Sequence, residues 1–281
     1  MDVIRYTDFH TVMHNNPIDM VNCGHSVQLM PKDNEHAYGR HFHETCELLM
    51  LITGDACYNI DGNNYALKPY DVLLIPPSTY HFLIPLSNEP YESYVINIKV
   101  PFVGKERLQK LFSPPYIINI LNDSMLRRMF SMLDYYFENY SRTDFKEASE
   151  HLLGEILICL SYKPKEEIDS VFAAGNNPLI SRITAFVSEN LDQDLNADMI
   201  AKHLNFSRSY VQNQFSEVMG IGLKQYINQK KIYAAHADIQ NGLSPNEAAR
   251  KYCFQDYSGF FRQYKKILGF SPKDGKDGGG P

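Results

Sequence analysis

The chain has no tryptophan among its 281 residues and only five cysteines, an odd number. Cys23, Cys46, Cys57, Cys159 and Cys253 form no close pair. That excludes a disulfide framework and a Cys-x-x-Cys metal site, and suits a reducing cytosol. No apolar run approaches the roughly 18 to 20 residues that a membrane span needs. The opening Met1-Asp2-Val3-Ile4-Arg5-Tyr6 lacks a basic start followed by an apolar stretch, so no signal peptide is expected and the expected location is cytoplasmic. Charge of one sign is scarce too: 27 Lys+Arg against 33 Asp+Glu leave a net of -6, an average that speaks against nucleic acid as a partner. What is present is ordinary for a folded protein. Hydrophobic residues at 44% and charged residues at 21% exclude wholesale disorder, and the length suggests two domains.

The average hides a split. Residues 1–176 hold 14 basic and 23 acidic side chains, a net of -9, whereas residues 177–281 hold 13 and 10, a net of +3. The two parts are therefore expected to have different partners, with the basic one the candidate for nucleic acid. Residues 164–178, with Pro164, Gly175 and Pro178, read as the linker between them.

Short apolar runs separated by turn residues mark the first part as β. Strands are expected at 47–53, 56–60, 71–75 and 94–100, with Asp61-Gly62 as a type I′ hairpin turn. Such spacing points to a sandwich or barrel. On this frame lie Gly39, His41-x-His43, Glu47 and Gly54, followed about 35 residues on by Pro76-Pro77-Ser78-Thr79-Tyr80-His81. In an extended strand His41 and His43, or His43 and Glu47, share a face. Converging imidazoles and a carboxylate suit either an organic ligand or a divalent metal, and the organic ligand is preferred here, with no cofactor expected. The two blocks resemble the paired motifs of the cupin superfamily, with Ser78 where that motif has glycine and Pro85 where it has asparagine. Residues 1–104 are thus read as a cupin-like ligand-sensing domain with His41, His43, Glu47 and His81 as its ligand-binding residues.

From Lys105 to Lys163 the apolar period becomes helical. Asp123-Ser124 opens a stripe from Met125 to Tyr140, and Asp144 opens another from Phe145 to Leu160. The second is apolar around much of its girth, at Leu152, Leu153, Ile156, Leu157 and Ile158, so residues 105–163 are expected to form a homodimer interface as well as pack on the β frame.

The last hundred residues contain a repeat. Ile200–Phe206 aligns with Ala248–Phe254 at an offset of 48, and Val211, Phe215 and Gly220 align with Phe260, Tyr264 and Gly269 at an offset of 49. Each copy reads as helix, tight turn, helix, the layout of a helix-turn-helix. Ser244-Pro245-Asn246-Glu247 is a capping box, while Ser207 and Asp256 cap the second helices. Residues 223–240 read as one long helix joining the copies. The turn positions hold Asn205 and Cys253; asparagine tolerates a left-handed backbone, but cysteine does so poorly, so strain is expected at the second turn.

Residues 179–272 are similar to the DNA-binding domain of the AraC/XylS family of bacterial transcription regulators, most specifically in the closing Phe254, Phe260, Arg262, Tyr264-Lys265-Lys266, Gly269 and Ser271-Pro272. A sensor ahead of such a domain is that family's common arrangement. The resemblance implies a mixed fold: a cupin-like β-barrel with helices, then an all-α domain with two helix-turn-helix units joined by a long helix. It implies a ligand-responsive regulator, not an enzyme, that binds promoter DNA as a dimer and controls a metabolic operon, with a small effector of which sugars are the leading class. Carried onto this chain, Ser209, Gln212 and Asn213 would meet base edges with Arg208 nearer phosphate. Tyr257, Ser258 and Arg262 would do the same from the second unit, with Lys265 and Lys266 toward phosphate. Residues 273–281 read as a flexible glycine tail. The alternative reading is a cupin metalloenzyme with an appended helix-turn-helix module.

Overall fold

A computed structural model describes residues 3–7, 21–29, 40–166 and 177–276. Apart from the turn at 61–63, the chain divides into two compact units, residues 1–175 and 176–281.

The first unit is built on two antiparallel sheets. Its strands are β1 (Val3–Thr7), β2 (Val21–Leu29), β3 (Cys46–Thr53), β4 (Ala56–Ile60), β5 (Asn63–Leu67), β6 (Asp71–Ile75), β7 (His81–Pro85), β8 (Pro90–Ile98) and β9 (Ile117–Asn119). Six strands pair in the order β1-β2-β8-β3-β6-β9, and three in the order β5-β4-β7. Strand parity explains the continuous apolar run in β3. Cys46, Leu48 and Met50 face a core shared with helices, while Leu49 and Leu51 face a core shared with Tyr58, Ile60 and Leu83 of the small sheet. Both faces are covered, so neither alternates with polar residues. Glu47 falls on the parity of Leu49 and Leu51, which turns a carboxylate toward the inter-sheet side.

Asp61 and Gly62 both have positive φ, 44° and 88°, as the Asp-Gly hairpin requires. Gly54, at φ 98°, has a second reason to be glycine: a Cβ there would come within 2.8 Å of the Pro90 carbonyl oxygen.

Among the described residues four helices follow in this unit: α1 (Val100–Val103), α2 (Lys105–Leu111), α3 (Ser124–Asn139) and α4 (Arg142–Ser161). They differ from the sequence reading in three ways. The stretch read as wholly helical contains β9, which pairs Asn119 with Asp71 and extends the large sheet. α4 begins at Arg142, because Ser141 accepts the Asp144 N–H and so caps the helix a turn before the expected start. Leu152, Leu153, Ile156 and Leu157 are all buried within the unit's own core, leaving Ile158 exposed. His25 fastens β2 to its surroundings, bonding Asp134 of α3 through Nδ1 at 2.9 Å and Glu92 of β8 through Nε2 at 3.0 Å. The Cys46 and Cys57 thiols are buried and pushed up to about 12 and about 11, so they stay protonated.

Among its described residues the second unit is all helical: α5 (Pro178–Glu189), α6 (Ala197–Leu204), α7 (Arg208–Met219), α8 (Leu223–Gln240), α9 (Pro245–Lys251), α10 (Tyr257–Leu268) and α11 (Pro272–Lys276). Asn177 caps α5 from within the expected linker, of which residues 167–176 lie outside the described residues, as does Gly39 of the first motif. α11 corrects the expectation of a flexible tail from residue 273. Ser271 and Asp274 cap it reciprocally, the Asp274 N–H donating to Ser271 Oγ and the Ser271 N–H to Asp274 Oδ2. Residues 277–281 lie outside the described residues. Among the described residues no helix is long and apolar enough to cross a membrane.

Candidate functional site

Two sets of side chains, one in each unit, carry recognisable chemistry. In the second unit the two helix-turn-helix copies repeat at the level of single hydrogen bonds. The Phe206 N–H donates to the Ala201 carbonyl and the Phe254 N–H to the Ala249 carbonyl, both at 3.0 Å, which is the six-to-one bond of a Schellman turn. The intervening Asn205 and Cys253 sit at φ 59° and 57°. The second turn thus has the same bend as the first; it adopts the left-handed conformation in spite of its cysteine, whose Sγ lies 3.0 Å from the Asp192 carbonyl oxygen. The extra residue that changes the offset from 48 to 49 is Gln255, between Phe254 and the cap Asp256.

Ser207 caps α7 by accepting the Tyr210 N–H, and Asp256 caps α10 by accepting the Gly259 N–H. Val211 and Phe215 in α7, and Phe260 and Tyr264 in α10, are fully buried. Burying those faces turns the opposite faces outward. Arg208, Ser209, Asn213, Tyr257, Ser258, Arg262, Lys265 and Lys266 are all exposed, and Gln212 is half-buried. Arg208 of α7 is paired with Asp198 of α6 at 3.0 Å, within the first helix-turn-helix copy.

α8 holds the copies together through buried polar contacts. Lys231, 5% exposed, donates from Nζ to the Gln193 carbonyl at 2.6 Å and to the Tyr252 carbonyl at 2.9 Å. Burial pulls its ammonium below the ordinary lysine range, but two carbonyl dipoles satisfy it. His236 Nδ1 is hydrogen-bonded to the Tyr264 hydroxyl, fixing α8 to α10. Between the copies lies a cleft of about 560 Å³, lined by Arg208 and Gln212 of α7, Lys224 and Asn228 of α8, and Arg262 and Gln263 of α10. Sequence reasoning missed Lys224 and Asn228, because α8 reads as a connector and only packing shows which of its faces opens between the recognition helices. It also missed Phe261, 36% exposed, which stands in α10 where Gln212 stands in α7. The repeat alignment itself carried that signal.

In the first unit, His41, His43, Glu47 and His81 converge as a group, with one ligand atom from each lying within 4.8 Å of every other. Backbone pairing brings the two sequence blocks together. His41 and His81 exchange N–H···O bonds of 3.3 and 3.2 Å, and the Ser78 N–H donates to the His43 carbonyl at 2.8 Å. Ser78 takes φ 59°, so the backbone of the glycine that the motif usually carries there is retained.

Glu47 Oε2 lies 3.0 Å from His43 Nε2 and 3.5 Å from His81 Nε2. The other ring nitrogens are held by the backbone: His43 Nδ1 donates to the Thr45 carbonyl and His81 Nδ1 to the Thr79 carbonyl, each at 2.9 Å. Burial would raise the Glu47 carboxyl, but the His43 and His81 imidazoles hold it below the ordinary carboxylate range. Tyr58 and Tyr91 are buried nearby; burial pushes Tyr91 up to about 12 and raises Tyr58 as well, so both remain neutral phenols. Glu47 and His81 are buried, His43 is half-buried and His41 is exposed, so the cluster opens to solvent on one side.

Comparison with known proteins agrees with this division. A family model described as an AraC-like ligand binding domain matches residues 31–155, and one described as a helix-turn-helix domain matches residues 200–276. The HTH-type transcriptional activator AarP of Providencia stuartii is 32% identical over 95 residues, 34% of this chain and 70% of its own length. The HTH-type transcriptional activator RhaR of Salmonella schwarzengrund is 19% identical over 258 residues, 88% of this chain and 90% of its own. Among solved structures, ToxT from Vibrio cholerae O395 aligns over 86% of this chain and 92% of its own, at 15% identity and a TM-score of 0.39. With a ligand-binding domain ahead of a doubled helix-turn-helix, the chain belongs to the AraC family of ligand-responsive transcription regulators.

Proposed function

We propose that this regulator binds promoter DNA as a homodimer, each chain laying α7 and α10 into successive major-groove segments, and that occupancy of the His41/His43/Glu47/His81 site changes how it does so. The observation that carries the DNA reading is the duplicated turn: two Schellman bonds of equal length, two left-handed residues and two capped second helices with polar outer faces. A single polar helix face is ordinary, but two built on one backbone plan argue for a periodic partner such as duplex DNA. Ser209, Gln212 and Asn213 face base edges from α7, and Tyr257, Ser258 and Arg262 from α10. Arg208, Lys265 and Lys266 lie toward phosphate, amides suiting adenine and arginine suiting guanine.

The dimer reading is supported by exposed apolar side chains on and beside α3 and α4, namely Met125, Tyr135, Tyr140, Ile158 and Tyr162, the last 82% exposed. A carbohydrate effector and a metabolic operon rest on the family resemblance, in which a small-molecule sensor precedes the DNA-binding domain. The relatives are transcriptional activators, so no catalytic step is proposed for the imidazole cluster.

Genomic footprinting of the full-length protein tests the reading. One protected site per dimer is expected, with affinity falling steeply as salt rises. A flat salt profile, or a monomer by light scattering at micromolar concentration, would count against promoter binding or dimerisation respectively.

A further inference from the structure

We propose that α8 is a third DNA-contacting element, in which Lys224 and Asn228 hold the sugar-phosphate backbone between the two segments that α7 and α10 occupy. This contact deepens the regulator reading and rests on its placement of α7 and α10 in successive major-groove segments.

Duplex geometry supplies the partner. Successive major-groove segments on one side of B-DNA lie about one helical turn, roughly 34 Å, apart. A protein that fills both straddles the minor groove between them, a groove about 6 Å wide and walled by phosphates. A surface lying between α7 and α10 therefore meets backbone in place of major-groove base edges. That surface is the cleft of about 560 Å³, to which α8 contributes Lys224, Ile227 and Asn228.

Lys224 and Asn228 are four residues apart, so they share one face of α8, about 6 Å apart along its axis. Lys224 is exposed and Asn228 half-buried, while the intervening Tyr226 and Ile227 are buried. The Tyr226 ring packs on Phe215 of α7, with centroids 5.2 Å apart. His236, further along α8, bonds Tyr264 of α10, and Lys231 bonds the Tyr252 carbonyl of the second copy. The Lys224–Asn228 face is thereby fixed relative to both recognition helices.

Basic groups outnumber acidic ones in the cleft: Arg208, Lys224, Lys231 and Arg262 against Asp194 and Asp256. Several of these charges are already engaged. Lys231 donates to two carbonyls, Arg208 pairs with Asp198, and the Asp256 carboxylate accepts the Gly259 N–H. Among the described residues Lys224, Asn228 and Arg262 make no hydrogen bond or ion pair, and the first turn of α8 contains no acidic residue. With Arg262 directed to bases, the Lys224 ammonium and the Asn228 amide are donors that lack an acceptor. Phosphate oxygens provide one: the ammonium is a compact charge on a flexible stem, and the amide donates to the same or an adjacent oxygen. Phosphate contacts carry no sequence information, but they fix register. On α8 they would keep the two base-reading helices in phase with the duplex.

The test uses full-length protein and a duplex that it selects from a random-sequence pool, with affinity titrated at several salt concentrations. Lys224→Gln should bind that duplex about three- to tenfold more weakly, with the slope of log affinity against log salt reduced by about 1. Lys224→Arg should restore both. Asn228→Ala should lose about two- to tenfold with the slope unchanged, because a neutral amide displaces no counterion. Uncharged methylphosphonates are then placed where phosphates wall the minor groove between the two protected segments. They should weaken the unaltered protein and leave Lys224→Gln no weaker than before. An unchanged salt slope in Lys224→Gln, or full additivity of that variant with the methylphosphonates, would overturn the α8 contact and leave the major-groove reading standing. Saturable binding of inorganic phosphate to the free protein at constant ionic strength, lost in Lys224→Gln, would overturn it too, since the cleft would then be a small-anion site. Failure of the unaltered protein to select any duplex would overturn the regulator reading and the α8 contact together.

Discussion

The two recognition helices share a backbone plan and divide the chemistry between them. α7 and α10 each run twelve residues from a side-chain cap to a left-handed glycine, Gly220 or Gly269, and each buries residues four apart. Their outward faces differ. In α7 the charges of Arg208 and Glu217 cancel and the polar positions are amides, Gln212, Asn213 and Gln214; in α10, Arg262, Lys265 and Lys266 stand with no acidic residue. The repeat preserves what the fold needs, caps and inward residues, and releases what only a partner would touch. In the proposed complex α10 supplies most of the attraction to phosphate and α7 most of the amide readout, while Phe261 offers the apolar contact that a thymine methyl accepts.

Charge removal should produce the largest effect. Lys265→Gln with Lys266→Gln should weaken binding to promoter and random DNA alike, on the order of tenfold or more, and reduce the slope of log affinity against log salt by about 2. A titration series at several salt concentrations reads both, and an unchanged slope would erase the contrast between the helices. Gln212→Ala should cost about 1–3 kcal/mol on the cognate site and nothing on random DNA, with the salt slope intact. Equal loss on both DNAs would remove α7 as the reader.

Smaller effects concern the turns and helix interiors. Cys253→Gly should raise stability by about 1 kcal/mol because the left-handed backbone costs a side-chain-bearing residue on that order, whereas Asn205→Gly should change little, since asparagine visits that region readily. Chemical denaturation of the two variants compares the strain in the two turns directly, and equal shifts would show that cysteine is no worse placed than asparagine. The smallest change is Gly259→Ala. The nearest atoms a Cβ there would meet are the Asp256 carboxylate oxygens, at 3.4 Å, so the methyl group fits and up to about 1 kcal/mol of helix propensity is expected as added stability. A destabilised variant would instead mean that α10 depends on an open face at that position.

Local devices were legible and long-range ones were not. The capping box at Ser244 and Glu247, the caps at Ser207 and Asp256 and the span of α8 follow from neighbours within a turn. The start of α4 was misplaced because Ser141 and Asp144 both look like caps, and the structure puts Asp144 inside the first turn, bonded to Ser141. β9 was hidden because three residues inside a helical stretch declare themselves only by pairing with β6. For the sensor site, the motif named the four residues, yet reading His43 and Glu47 as sharing a strand face missed how they meet: only Glu47 is in a strand, and His43 reaches it from the preceding segment.

The sequence by itself determined that the chain has two parts of opposite charge, that the second contains a duplicated helix-turn-helix, and which side chains cap its helices, because composition and capping depend on residue type and short spacing. Only the tertiary structure decided that Cys253 and Ser78 occupy left-handed backbone, that Lys224 and Asn228 open onto the cleft between the recognition helices, and that two imidazoles give their Nδ1 protons to carbonyls while their Nε2 atoms meet at Glu47. Each of these depends on atoms brought together from separate segments, and proton placement in particular is set by whatever oxygen the fold puts 2.9 Å from a ring nitrogen.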